Sequence, residues 1–556
     1  MRANGLLALA GLLLAVATAI PWAPPAARAA APSGPVLRLD WGAEPSDLNP
    51  VTAVDQVSFD VLNAVMEGLT RIGSSGQVTP GIASGWTVQN GGRTYVFHLR
   101  NARWSNGDPV TAMDFVYAWD QVLNPCIGSQ YASQMRDIAG AASLLALAVP
   151  PTGCDTATAH TVAALEARLG VRAAGVHTLV VRLSRPVPYW LSMTALPTYF
   201  PLDQPLASRW GMQLYGSNIA HMVFDGPFVI RSWVPNAHLD LVKNPNYWDA
   251  RHVYLAGVDG LIVTDAATAV NLYQTGQLDV LTQIPSQFIS VFQRQAGYRI
   301  APQATVTYLE MNVSAAPFSQ PLVRQAFSLA IDRAALVRAV VQAGQPAYAL
   351  TPPGIDYAPG RPFSPLVGHP LNTHAQPAAA RAALAAGLRA LHLHALPPLV
   401  LLTVNTTDAR HYCEALQAMW QQMLGVTVQL NAVDAPTYLK LLQEGQFNLA
   451  FSGWDADYND PTTFLNLWTK GSGFNSIHWH SATYDRYLAE AAAARSTQTR
   501  GQDLARAERT LLAQLPVAPL YWPERAWIAH RGVSGFVWYQ TGPDFSLKGV
   551  RVSGGA

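Results

Sequence analysis

The chain has 556 residues, half of them apolar and 13% charged, with 36 basic and 35 acidic side chains. That length exceeds what one hydrophobic core serves, and the composition is that of folded protein, so two or three lobes are expected and a disordered chain is excluded. No long run of one charge sign occurs, which argues against nucleic acid and anionic membrane surfaces as partners.

The first stretch reads as a secretory signal peptide, residues 1–31. Arg2 supplies the positive start, Leu6 to Ile20 is an apolar run, and A-x-A-like cleavage is offered near Ala27, Ala29 or Ala31. The competing reading, a membrane anchor, needs a longer run with a charged stop behind it. Removing the segment takes away Arg2 and Arg28 and no acid, which moves the balance from +1 to −1. No cysteine lies beside the cleavage site for a lipid anchor, and no other segment is long and apolar enough to span a bilayer. An exported, soluble chain without a membrane span is expected.

Further along, Trp86 to Val88 and Tyr95 to Leu99 alternate apolar and polar residues around Asn90-Gly91-Gly92, which predicts a β-hairpin. Val176 to Leu183 alternates in the same way. Pro321 to Val341 is predicted as one helix, with Ser319 as its cap, Gly344 past its end, and Leu322, Ala326, Leu329, Leu336 and Val340 on its apolar stripe. An Ala-rich helix around 377–393 precedes a strand at Leu399 to Val404. A helix from about Asp408 to Leu424 is stopped by Gly425 and followed by a strand from Val426 to Leu430. Strand and helix alternating at this spacing predict an α/β fold with a largely parallel sheet.

Cys126 and Cys154 stand in loop contexts, after Asn124-Pro125 and within Pro150-Pro151-Thr152-Gly153, whereas Cys413 falls inside a helical pattern. Export permits a Cys126–Cys154 disulfide with Cys413 as a buried thiol; three unpaired thiols are the alternative.

The chain carries no G-x-S-x-G, H-E-x-x-H, P-loop or G-x-G-x-x-G. His478 and His480 would face one way on a strand, but a lone i, i+2 pair is a weak metal signal. Asp455 and Asp457 are paired carboxylates without an accompanying base and nucleophile. The densest segment is F-S-G-W-D-A-D-Y-N-D-P-T-T-F, Phe451 to Phe464. Acids beside aromatics in a turn-forming loop suit a pocket for a cationic ligand. They suit a solvated Asx-turn over packed aromatics equally well.

The run F-H-L-R-N-A-R-W-S-N-G-D-P-V-T-A-M-D-F-V-Y-A-W, from Phe97 to Trp119, resembles the signature of the oligopeptide and dipeptide substrate-binding proteins of ABC importers. Met66 to Leu69 (M-E-G-L), Lys243 to Trp248 (K-N-P-N-Y-W), Arg324 to Arg333 (R-Q-A-F-S-L-A-I-D-R) and Gly453 to Pro461 (G-W-D-A-D-Y-N-D-P) match the same family in the same order. S-Q-Y-A-S, V-P-Y-W and A-D-Y-N-D-P-T-T-F-L are similar to the periplasmic oligopeptide binders in particular.

This resemblance implies a two-lobed periplasmic-binding-protein fold (type II, cluster C) with an additional third lobe. Lobe I would comprise 32–66, 191–303 and 523–556, the extra lobe 67–190, and lobe III 304–522. Short peptides would bind between lobes I and III, which close over them and deliver them to the membrane permease subunits of an ABC importer. The protein would be a periplasmic monomer, neither an enzyme nor a cofactor or metal carrier. Asp457 matches the position that grips the peptide's α-amine, since an enclosed ammonium needs a partner. Val54, Gln56, Ser452 and Gly453 would meet the peptide backbone as an added strand, with Gly453 permitting close approach. Trp454, Tyr131, Tyr308 and Tyr521 match pocket-lining residues.

For the peptide carboxylate, the positions that are basic in some relatives are Phe451 and Ser328 here. Arg410, with His411 beside it, stands near another such position. Ala435 replaces a bulky indole and Asp455 a cysteine, so side-chain preference is not carried over. The alternatives are a family member for a non-peptide ligand (an opine, a metal chelate or a cell-wall fragment) and a secreted hydrolase using Asp455 or Asp457.

Overall fold

Residues 34–73, 76–150, 153–301, 303–358 and 360–553 are described by a computed structural model. The signal segment at 1–31 lies outside them. Among the described residues no helix is long and apolar enough to cross a membrane.

The apolar runs Val36–Asp40 and Gly257–Leu261 pair in parallel at the middle of a seven-stranded sheet. Leu37 and Leu39 are fully buried there. Packing is tight enough to require a glycine at 260. A Cβ on Gly260 would meet Trp41 Nε1 at 2.1 Å and the Leu239 carbonyl at 2.4 Å, the two atoms that already form a 3.0 Å hydrogen bond.

A second sheet has six strands, in the order Gly344–Pro346, Val517–Pro523, Thr305–Met311, Leu449–Asp455, Leu399–Val404 and Val428–Val433. All seven residues of Thr305–Met311 are buried. The expected hairpin forms from Ala83–Gln89 and Thr94–Leu99, with Asn90, Gly91 and Gly92 all at positive φ. It belongs to a four-stranded sheet with Thr178–Arg182 and Val171–Gly175.

Two features depart from expectation. Both large sheets are mixed instead of largely parallel. The strands that cross between them, Tyr298–Ala301 to Thr305–Met311 and Val517–Pro523 to Arg525–Ala529, lie side by side in antiparallel register. The predicted helix 321–341 is also broken. It runs over Pro321–Leu329, capped by Gln320 and not Ser319, and a new helix starts at Arg333–Leu336. Asp332 causes the break, because its carboxylate accepts the Ala335 N–H and caps the new start. Leu322, expected on the apolar stripe, is 37% exposed. The helix Thr407–Leu424 ends as expected at Gly425 in the left-handed region.

Cys126 and Cys154 are joined with Cα atoms 5.6 Å apart, and Cys413 is a buried free thiol. The bridge ties the end of helix Ala112–Leu123 to the start of helix Thr156–Glu166. The double variant Cys126→Ser, Cys154→Ser should unfold at lower denaturant. Loop-closure entropy over a separation of 28 residues sets the expected loss at about 3.5 kcal/mol, measured by chemical denaturation.

Candidate functional site

The strand Leu449–Asp455 is paired along one edge with Thr305–Met311 throughout its length. On its other edge, Leu399–Val404 covers only Leu449 and Ala450. From Phe451 onward that edge has no strand partner. The Phe451 carbonyl takes the Tyr438 hydroxyl at 3.1 Å and the Gly453 carbonyl takes the Tyr308 hydroxyl at 3.4 Å. A cavity of about 350 Å³ opens beside this edge.

Val54, Gln56, Tyr131, Tyr308, Ser452, Gly453, Trp454 and Asp457 all line this cavity. Val54 and Gln56 come from the start of helix Gln56–Val65, whose first turn is capped by Asp55. Tyr131 comes from the turn Gln130–Met135 and packs against Phe474 at 4.9 Å and Trp454 at 6.2 Å. A neighbouring cavity of about 420 Å³ shares Gln56, Thr307, Phe451 and Asp455 with the first, and Tyr521 lines it.

Three aspartates within six residues meet three different fates. Asp460 pairs with Arg500 at 2.8 Å and closes an Asx turn by accepting the Thr462 N–H and hydroxyl. Asp455 accepts from the Thr305 hydroxyl and from Gln303. Asp457 is 5% exposed and is met only by neutral hydroxyls, Tyr131 at 3.2 Å and Thr463 at 3.4 Å. Its own N–H donates to Thr463 Oγ1, which fixes the loop. Burial pushes the Asp457 carboxyl up to about 7, against the pull of those two hydroxyls. The Asx turn expected in this segment forms at Asp460, but buried and ion-paired instead of solvated. Asp460 makes the turn, and Asp457 faces the cavity with no Lys, Arg or His beside it among the described residues.

Glu310 was not singled out from the sequence. It is 2% exposed at the cavity wall, accepts from Ser476 at 2.6 Å, and is pushed up to about 7 by burial. A single acid in the otherwise uncharged strand T-V-T-Y-L-E-M was its available signal.

Arg410 requires correction. It stands in the exposed first turn of helix Thr407–Leu424, donates to Asn405 Oδ1 at 3.0 Å, and borders neither cavity. Helical phase is the reason: Asp408, Ala409 and Tyr412 face the cleft, so position 410 faces away. His411 is exposed and also outside both cavities, and Ser328 is buried in the core against Arg333. His478 and His480 lie in a loop and not on a strand, both exposed, and no group of three or more metal-ligating side chains occurs among the described residues. Among the described residues, no His or Cys lines either cavity.

Residues 77–476 match the model of the bacterial extracellular solute-binding proteins, family 5. The chain is 31% identical over 517 residues to the oligopeptide-binding protein OppA of Bacillus subtilis, covering 91% of each. It is 32% identical over 509 residues to the probable deoxycholate-binding periplasmic protein YgiS of Escherichia coli, covering 90% of each. Among solved structures, Listeria monocytogenes OppA bound to peptide superposes with a TM-score of 0.85 at 27% identity, covering 94% of this chain and all of that one. An unliganded open form of the murein tripeptide-binding protein MppA superposes at only 0.60, at 26% identity and 94% and 98% coverage. The lobes are thus arranged as in the peptide-bound relative. The architecture is the two-lobed α/β fold of these proteins, and the chain belongs to the bacterial extracellular solute-binding proteins, family 5.

Proposed function

We propose that this protein is a periplasmic binding protein that encloses short peptides between two closing lobes and delivers them to the permease of an ABC importer. The lobes are 32–66 with 191–303 and 523–556, and 304–522, with 67–190 as the extra lobe, and the protein acts as a monomer. The observation that carries the reading is Asp457, a buried carboxylate facing a cavity with no cation to balance it. A fold tolerates that cost where a ligand supplies the missing charge.

The peptide's α-ammonium takes that place, held by a charge-assisted hydrogen bond. Its backbone runs along the unpaired edge at Ser452 and Gly453 as an added strand, with Val54 and Gln56 across the cleft. A Cβ at Gly453 would sit 3.2 Å from the Val306 carbonyl of the neighbouring strand, a tight fit that favours glycine there. Tyr131, Tyr308, Trp454 and Tyr521 form the walls. The peptide's carboxylate finds no free cation. Among the described residues, Arg525 is the one basic residue lining the two cavities, and Asp544 holds it through both of its terminal nitrogens. Register is therefore set from the amine end.

A second reading, a non-peptide ligand, is favoured by the likeness to a relative named as a probable deoxycholate-binding protein. An anion such as deoxycholate would meet Asp457 and Glu310, so this reading requires a cationic or neutral compound. Mass spectrometry of the ligand released from protein purified from its own host separates the two.

Asp457→Ala should weaken binding of a free-amine tripeptide by about 3 kcal/mol or more, because an ammonium is left enclosed without a partner. N-acetylation of the peptide should cost the wild type a comparable amount. Calorimetry reads both, and unchanged affinity would remove Asp457 from this role.

Empty closure should depend on pH. With the lobes apart, Asp457 meets water and titrates in the ordinary carboxylate range near pH 4. In the empty closed cleft it titrates at about 7. Closure without ligand is thus most stable below pH 4 and loses that stability as pH rises to about 7. Small-angle X-ray scattering should show a smaller radius of gyration for the ligand-free protein at pH 5 than at pH 8.

A further inference from the structure

The second cavity has a chemistry of its own. Asp40 and Asp60 line it and are 7% and 6% exposed. In each, one oxygen takes every hydrogen bond. Asp40 Oδ1 accepts the N–H groups of Gly42 at 2.8 Å and Val263 at 3.0 Å. Asp60 Oδ1 accepts from the Gln56 side chain at 3.3 Å and from the Asp544 N–H at 2.6 Å. Among the described residues, no donor reaches Oδ2 of either. A carboxylate needed only to close these turns would leave no such surplus, because an asparagine oxygen accepts the same bonds.

Two carboxylate oxygens that no protein donor meets, on side chains otherwise enclosed by the wall of one cavity, are open to a ligand entering it. Asp455 lines the same space, and the single cation there, Arg525, is already occupied by Asp544. Trp41 and Phe545, stacked with ring centroids 6.4 Å apart, add aromatic surface to the wall. Acid oxygens beside aromatic rings suit an ammonium or guanidinium on an apolar stem.

We propose that the second cavity is a specificity subsite for a basic side chain of the bound peptide, a lysine or an arginine, received by Asp60 and Asp40. The proposal rests on the peptide reading above, and it narrows the substrate class to peptides with a cationic residue beyond the amine. The cavity is continuous with the first through Gln56, Thr307, Phe451 and Asp455, so one extended peptide occupies both. Burial and the neighbouring Asp544 carboxylate hold Asp60 well above the usual carboxylate range, and burial lifts Asp40 to about 6. An entering cation pulls both down, so basic peptides release more protons on binding near neutral pH than neutral ones do.

The test is calorimetry on the full chain with alanine tripeptides carrying lysine, arginine or glutamate at each position in turn. At one position lysine or arginine should bind about tenfold more tightly than alanine or better, and glutamate more weakly than alanine. D60N and D40N should each reduce that lysine-to-alanine ratio, and the double variant should bring it below about threefold. A ratio that stays near one at every position in the wild type overturns the subsite while leaving peptide capture intact. So does a ratio that survives in the double variant. If no peptide of the series binds, the peptide reading falls and the subsite with it. Should the double variant fail to fold, the single variants and the glutamate peptides still decide.

Discussion

A carboxylate buried without a cation is the constraint around which the cleft is organised. Asp457 is the clearest case. Its two hydroxyl donors come from different parts of the chain: Thr463 from its own loop, and Tyr131 from a turn more than three hundred residues earlier. The Tyr131 bond therefore forms only when the segment carrying it is seated on the six-stranded side. The same approach stacks Tyr189 on Tyr458 with centroids 4.4 Å apart. Neutral donors soften the burial of a charge but do not cancel it. What remains is a standing preference for a cation, expressed only while the cleft is shut.

Two kinds of recognition divide the work. The unpaired edge from Phe451 to Asp455 offers main-chain groups, which bind what all peptides share. The acids set the sign of the ligand's charge. In the proposed reading, Asp457 takes the amine, and Asp40 and Asp60 take a side chain further along. With Arg525 bound to Asp544, no free cation lines the cleft among the described residues, so in the proposed reading a peptide's start is fixed and its end is not. Affinity from such a site is moderated by the cost of desolvating the acids, which suits a carrier that must release its cargo.

Much of the frame was legible in the sequence, because it depends on local rules. Asn90-Gly91-Gly92 specified the hairpin, Gly425 ended the helix that precedes it, and the apolar run Leu399–Val404 became the expected strand. Where local rules competed, they misled. Asp332 has the side chain to start a helix, and it broke a stripe that looked continuous. Strand order was illegible, since the antiparallel pairing of the two crossing segments joins residues about two hundred positions apart. Within the site, the loop Phe451 to Phe464 was found from its crowding of acids and rings. Which of its acids was left without a close partner depended on Arg500 and Thr305, distant residues that neutralise Asp460 and occupy Asp455. Arg410 was misplaced by a phase difference of a single helical position. Asp40 and Asp60 reach one cavity from a strand and a helix, and no spacing in the chain records that meeting.

The most direct measurement is a crystal structure of the protein with a bound free-amine tripeptide. The account predicts the peptide's terminal nitrogen at about 2.8 Å from an Asp457 carboxylate oxygen, with the peptide chain alongside Ser452 and Gly453. A peptide whose amine faces solvent or another residue, with Asp457 still met only by Tyr131 and Thr463, would contradict it.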